Sequence, residues 1–290
     1  MRPELRRVDW KPLALSEGAG ASAADASAYL TAEMCRRELK VNSLDARQPC
    51  QVVAYSFPAW HPSPFMEKTF GSGWTEWDLV RKARPIFPGH LQPKQPLWGY
   101  FDEASPEWAA REIDAAAGHG IDCWMIDWYW HDGTQFYQEQ LEKGFLAAPN
   151  RERLRFALMW ANHDWLDVYP AASPADAKML LPQTHSEADC VRVIDYCIEH
   201  YFSQPNYWRL GGGLVFGVFD VGLLAERLGG AGALARAIEK MRARVQRAGL
   251  GELHIQSNNV HGRLETKFRK VGIDSATYYH TFGWTYGGRA

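Results

Sequence analysis

The stretch Ile121-Asp-Cys-Trp-Met-Ile-Asp-Trp-Tyr-Trp-His-Asp-Gly133 constrains this chain more than any other. Its first half, Ile121 to Ile126, is an apolar run rich in β-formers, set between Gly120 and a His131-Asp132-Gly133 turn. Length and flanks predict a strand buried on both faces, the kind found in parallel sheets. Asp127, Trp128, Tyr129, Trp130, His131 and Asp132 then follow without a break. Burying a charge without a partner is costly, so a carboxylate among large aromatics is poor packing material. Aromatic faces for stacking beside acids for hydrogen bonding are what a sugar site needs. The competing reading is a core strand whose rings fill space and whose Asp127 is satisfied by a nearby Arg.

The rest of the chain repeats this layout. Gln51–Phe57 reads as the first strand, stopped by Pro58, and a long loop from Ala59 to Gly99 follows, punctuated by prolines. Ser105-Pro106-Glu107 is an N-cap, a proline at the first helical position and an acid in the first turn; the helix runs to about His119 and feeds the Ile121 strand. Gln135–Phe145 reads as a helix, and Leu154–Met159 as a strand that ends in Trp160-Ala-Asn-His-Asp-Trp165. Ser186 caps a helix with Cys190, Val191, Ile194, Cys197, Ile198 and Tyr201 on one face. Leu214–Phe219 is a strand, Leu234, Ile238, Met241 and Val245 mark a helix stopped by Gly249, and Leu253–Gln256 and Ala276–Tyr279 are the last two strands. Six strands alternating with helices predict a parallel sheet, with polar and aromatic residues gathered at the strand C-termini as on the top face of a β/α barrel. Spacing alone also admits a doubly wound sheet. Residues 1–50, with the small-residue run Gly18–Ser27 and a short helix over Ala28–Leu39, read as an N-terminal extension or linker, and 51–290 as the main domain.

Composition narrows the partners. A net charge of -2 and no basic stripe argue against nucleic acid or an anionic membrane. No apolar stretch approaches the roughly 20 residues that span a bilayer, and no apolar h-region follows Arg2, Arg6 and Arg7, so the expectation is a cytoplasmic protein. The five cysteines include no C-x-x-C pair, which fits reduced thiols. The unusual number is 13 tryptophans, many of them at strand ends.

Several segments carry a resemblance: Tyr55-Ser-Phe-Pro-Ala-Trp-His-Pro62, Gly73-Trp-Thr-Glu-Trp77, Ala83-Arg-Pro-Ile-Phe-Pro-Gly-His-Leu-Gln-Pro93, Gly120-Ile-Asp122, Asp127-Trp-Tyr-Trp130, Trp160-Ala-Asn-His-Asp-Trp165 and Asn206-Tyr-Trp-Arg-Leu-Gly-Gly212. In order and spacing, over roughly 51 to 285, the chain resembles the glycoside hydrolase family 99-like, WbsX-type proteins associated with polysaccharide loci. The resemblance implies a (β/α)8 TIM-type barrel acting on oligo- or polysaccharide, with α-mannosides among the candidate substrates and no cofactor. It also implies reacting carboxylates late in the barrel, in a motif like Asn-Glu-Trp-x-Glu-Gly. No such motif occurs here, and Glu265, the last glutamate, stands in Gly-Arg-Leu-Glu-Thr-Lys. The expectation is therefore an incomplete barrel of about six β/α units, with catalytic residues unassigned and sheet edges open to self-association.

The candidate sugar-binding residues are Trp60, His61, Glu76, Asp127, Trp128, Trp130, Trp160, Asn162, His163, Asp164, Asn258 and Tyr278, with Trp165, Asn259 and Tyr279 beside them. Asp127 and Asp164 end adjacent strands and could work as a pair if about 5–9 Å apart; the resemblance gives them a substrate-orienting role instead. His61, His131 and His280 lack the tight spacing of a metal site, so no metal is expected. A glycoside hydrolase, a transferase of polysaccharide assembly and a non-catalytic sugar-binding remnant all remain open. No Gly-rich phosphate loop follows a strand, and Gly211-Gly-Gly213 precedes one.

Overall fold

The computed structural model describes residues 51–167, 177–259 and 270–279. The expected extension over 1–50, Cys35, Cys50, Glu265 and His280 lie outside the described residues. In chain order the elements are β1 (Val53–Ser56), α1 (Pro64–Phe70), α2 (Trp77–Lys82), α3 (Pro106–Gly118), β2 (Cys123–His131) and β3 (Thr134–Phe136). After one stretch of π-helix (Gln140–Phe145) come β4 (Arg155–Trp160), β5 (Trp165–Asp167), β6 (Lys178–Leu181) and α4 (Glu187–His200). They are followed by β7 (Arg209–Leu210), β8 (Gly213–Val218), α5 (Val221–Leu228), α6 (Ala231–Arg247), β9 (Leu253–Ser257) and β10 (Ser275–Ala276).

Among the described residues the main sheet has eight strands: six parallel ones in the order β1-β2-β4-β8-β9-β10, with β3 and β7 added antiparallel to β2 and β8. Each of the six lies beside the next in sequence, as a singly wound β/α barrel demands and a doubly wound sheet does not. The sheet is strongly curled. Laid flat, β1 and β10 would stand about 24 Å apart at the usual strand spacing. Instead the Tyr55 ring on β1 lies 4.7 Å from that of Tyr279, just past β10. At the opposite end Trp208 Nε1, beside β8, donates to Gln51 Oε1, beside β1, at 3.0 Å. The fold is thus of the TIM-barrel type, a parallel sheet curled into part of a barrel with helices outside it. Helices α3, α4 and α6 bury Ile113, Val193, Ile194, Cys197, Leu234, Ile238 and Met241 against its outer face. Ser105 and Ser186 cap α3 and α4 through Trp108 N and Asp189 N, as the sequence implies. Cys123, Cys190 and Cys197 are buried free thiols.

Three expectations need correction. The second strand does not stop at Ile126 but runs to His131, because it turns through Asp132 (φ 45) and Gly133 (φ 83) and pairs antiparallel with β3. Two consecutive left-handed residues are what a tight hairpin turn requires. The helix expected over Gln135–Phe145 is therefore a strand and then a π-helix, separated by Tyr137 at φ 61. The Ala59–Gly99 loop holds α1 and α2, and an unforeseen hairpin, β5–β6, follows β4.

Gly144 in the π-helix shows how tightly this segment is seated, since a Cβ there would overlap the backbone oxygen of Glu103. Backbone cannot swing aside as a side chain can, so Gly144→Ala is expected to cost about 3 kcal/mol. Chemical denaturation of the variant checks this; unchanged stability would mean that the two segments do not meet.

Candidate active site

Side chains on a strand alternate faces. In β2, Met125, Asp127 and Tyr129 therefore point to the inside of the curl and Trp124, Trp128 and Trp130 to the helices. The parallel register carries the inner row across the sheet: Tyr55 beside Met125, Met159 beside Asp127, Gly217 beside Met159 and Gln256 beside Gly217. Asn258, one step past β9, and Tyr279, past β10, complete it. Asn258 Nδ2 donates to Tyr55 Oη (3.0 Å), and Tyr279 Oη donates to Asp127 Oδ2 (3.1 Å). A Cβ on Gly217 would overlap Asn258 Oδ1 and stand 3.2 Å from Met159 Cα, so only glycine leaves room for the amide. Four strands thus contribute to one polar cluster at the C-terminal end of the sheet.

Asp127 is 5% exposed, and its Oδ1 has no partner among the described residues. Burial pushes its carboxyl up to about 7, against the opposing pull of the Tyr279 hydroxyl. Burial likewise raises the phenols of Tyr55, Tyr129 and Tyr279, so they stay neutral donors. A carboxyl poised near neutrality among neutral donors can accept a hydrogen bond or hand over a proton. Half-buried rings wall the cluster: Phe219 packs edge-on at 5.3 Å from both Tyr279 and His163.

An adjoining cleft of about 210 Å³ lies at the rim, lined by Phe57, Met66, Phe70, Glu76, His163, Asp164, Trp165 and Leu166. Tyr129 connects it to the inner cluster, since its ring meets Trp165 at 5.0 Å, Phe57 at 6.4 Å and His163 at 6.5 Å. Glu76 is buried at its wall. Asp164 is held by both guanidinium nitrogens of Arg227 (2.9 and 2.7 Å) and by Gln183 N (2.7 Å). The Arg227 hydrogen bonds keep its carboxyl below the usual range. It is a settled ion pair that anchors the rim.

The structure divides the expected site residues. Asp127, Asn258, His163, Asp164, Glu76 and Trp165 gather at the inner cluster and its rim cleft. Trp128, Trp130 and Trp160 do not, which corrects the expectation that they line a sugar cleft. Trp128 stacks on Trp130 (5.5 Å), hydrogen-bonds Gln135 and packs near Tyr196 and Tyr201 under α4; Trp160 shares its face of the sheet and is fully buried. Asn162 is also fully buried: its amide bonds Asp220 O and Asp220 N, both at 2.8 Å, and so ties the end of β4 to the start of α5. His61 is enclosed between Glu139 (3.4 Å) and Glu103 (3.7 Å), while the Trp60 ring packs at a tilt against Trp77, centroids 4.1 Å apart, and its backbone N–H donates to Glu103. Those two residues brace the long loop. The final strand is Ser275–Ala276, not the expected Ala276–Tyr279; because Ser275 pairs with Gln256 of the inner row, alternation turns Tyr278 outward, 56% exposed, and Tyr279 inward. Tyr55, Phe57 and Tyr129 were missed as site residues; their parity with Asp127 on paired strands was the available signal. His131 bonds Pro182 O, and no group of three His, Cys, Asp or Glu stands ready to hold a metal among the described residues. No helix among them is long and apolar enough to cross a membrane.

Comparison with known proteins agrees with the resemblance read in the sequence. The sequence model of the family described as "Glycosyltransferase WbsX" matches residues 52–285. Two similar relatives are uncharacterized proteins WxcX of Xanthomonas campestris pv. campestris. That of strain B100 is 27% identical over 241 residues, 83% of this chain and 32% of its own length. That of strain ATCC 33913 is 27% identical over 232 residues, 80% of this chain and 31% of its own. The chain thus spans about a third of the length of the curated relatives it matches. Among solved structures, the GH99 endo-alpha-mannosidase from Bacteroides thetaiotaomicron aligns with a TM-score of 0.49 at 14% identity, over 79% of this chain and 61% of that one. Its complex with bis-tris-propane gives 0.49 at 13%, over 79% and 59%. With more than half of its length matched by the family's sequence model, the chain belongs to the WbsX glycosyltransferase family, a family of carbohydrate-active proteins.

Proposed function

We propose that the inner cluster and its rim cleft bind a pyranose unit of an oligo- or polysaccharide, and that the protein acts on the glycosidic bond of that sugar by hydrolysis. The observation that carries this reading is Asp127: a buried carboxyl with aromatic walls, one oxygen of which takes the Tyr279 phenol and the other no partner among the described residues. Sugars present apolar ring faces and polar edges, so rings beside a hydrogen-bonding acid suit them. Asp127 takes the orienting role, accepting from a sugar hydroxyl. Trp165 and His163 offer the stacking surface, and Glu76 a second acceptor. The sequence resemblance makes α-mannosides the first substrates to try.

The linkage sign gives this reading a stability signature. A carboxyl raised from 3.8 to about 7 favours the protonated form in the fold. Its unfavourable ionisation is absent below about pH 4, develops as pH rises through the folded value and is complete above it. Asp127→Asn is therefore expected to stabilise the protein above pH 8, by at most about 4 kcal/mol, with little effect at pH 4. The same substitution should weaken binding of mannose-containing oligosaccharides at least about tenfold at pH 8, read by calorimetry against a wild-type Kd on the order of tens of micromolar to millimolar. Loss of stability together with unchanged affinity would refute the orienting role. In an end-point assay on the same sugars, free reducing ends support hydrolysis, and transfer to an added acceptor sugar favours a transferase.

Trp165→Ala should weaken the same binding about tenfold through lost stacking. Trp128→Phe, on the helix side, should lower stability by about 1 kcal/mol through the lost Gln135 hydrogen bond and leave Kd unchanged. The reverse pattern would put the sugar on the wrong face of β2.

A further inference from the structure

Tyr279 reaches Asp127 from a segment that only two residues of pairing, Ser275 and Ala276, attach to the sheet. A hydrogen bond across a curled sheet needs a fixed donor, and so short a pairing does not supply one by itself. The structure holds the phenol in another way. The Tyr55 ring lies 4.7 Å from that of Tyr279 at an angle of 55°, and Phe219 closes on Tyr279 edge-on at 5.3 Å. Tyr55 is fixed in turn at its hydroxyl, which accepts from Asn258 Nδ2 at 3.0 Å. Asn258, fully buried, is steadied by Gln256 Oε1 (3.2 Å) and fits only because position 217 lacks a side chain. The chain of contacts Gly217–Asn258–Tyr55–Tyr279–Asp127 touches five of the six strands or their ends.

We propose that Tyr279 is the positioning residue for Asp127, aimed at it by a clasp that Tyr55 and Asn258 form across the barrel. The inference deepens the sugar-site reading and rests on it only for the use to which Asp127 is put. The groups facing Asp127 make the phenol's part separable. Tyr55 from β1 and Tyr129 from its own strand are neutral, and Met159 and Gly217, its row-mates on β4 and β8, carry no charge. Glu76 and Tyr137 act on Tyr129 from the rim. Among the described residues, Tyr279 is the hydrogen-bond donor that opposes the burial of this carboxyl. Removing it removes stabilisation of the carboxylate specifically, which generic loosening of the sheet would not do.

The test is the titration of Asp127 itself, with no sugar present, by carbon-13 NMR of the chain carrying labelled aspartate, the signal assigned with Asp127→Asn. Tyr279→Phe keeps the ring and removes the hydroxyl, so it is expected to raise the proton affinity of Asp127 about tenfold, moving the midpoint up by one pH unit. Tyr55→Phe keeps the ring contact and removes the anchor on Asn258, and should give a smaller shift of the same sign. Tyr278→Phe, on the outer face of the same segment, is the control and should leave the midpoint in place. An unmoved midpoint in folded Tyr279→Phe, verified by its thermal transition, overturns the proposal, as does an equal shift in Tyr278→Phe. Should the wild type bind no oligosaccharide while Tyr279→Phe still moves the midpoint, the clasp stands and the sugar-site reading falls.

Discussion

The curl of the parallel sheet is the constraint on which the rest depends. A flat sheet would leave Tyr55 and Asp127 far from Tyr279 and Asn258, and each would be an isolated polar group on an apolar face. Curled, the same strands bring them within hydrogen-bonding distance. The helices outside favour the curl, because α3, α4 and α6 bury their apolar stripes on the convex face. Inside, large rings meet across the gap, and Gly217 leaves space where two strands and an amide crowd together.

Within that interior Asp127 is the costly group. An apolar residue of its size would hold the sheet together at least as well, and burial raises its carboxyl to about 7. The surrounding groups limit that cost without removing it: Tyr279 satisfies one oxygen and nothing described satisfies the other. Asp164 shows the contrast. Two hydrogen bonds from Arg227 make it a settled ion pair with its affinity for protons lowered. Of two acids near the ends of neighbouring strands, one is a settled anchor and the other a buried carboxyl held close to neutrality.

The tryptophans illustrate how function and packing share one sequence signature. A run of Asp-Trp-Tyr-Trp reads as a sugar platform, and only half of it faces the interior of the curl. Asp127 and Tyr129 face inward, whereas Trp128 and Trp130 complete the layer under α4, where Gln135, Glu142, Tyr196 and Tyr201 form a closed polar network around the Trp128 indole. The described tryptophans are thus divided between the rim cleft and the scaffold, with Trp165 lining the cleft and Trp160 sealed beneath the helices.

By itself the sequence determined the order and direction of the strands, the capped starts of α3 and α4, the carbohydrate-active family and the costly position of Asp127 among large rings. These follow from local signals: apolar runs of strand length, serine caps, and an acid where an acid is expensive. Which side of each strand faces the interior was decided only in three dimensions. Parity depends on where a strand begins pairing, and only the pairing of Ser275 with Gln256 turns Tyr279 inward and Tyr278 out. The hairpin after β2 likewise depends on left-handed backbone at Asp132 and Gly133, which let the strand outrun the apolar segment that announced it. The contacts that join Asn258 to Tyr55 and Tyr279 to Asp127 span 203 and 152 residues of chain. No local pattern encodes such a separation; it exists because the sheet bends far enough for side chains of β1 and of the segment just past β10 to meet.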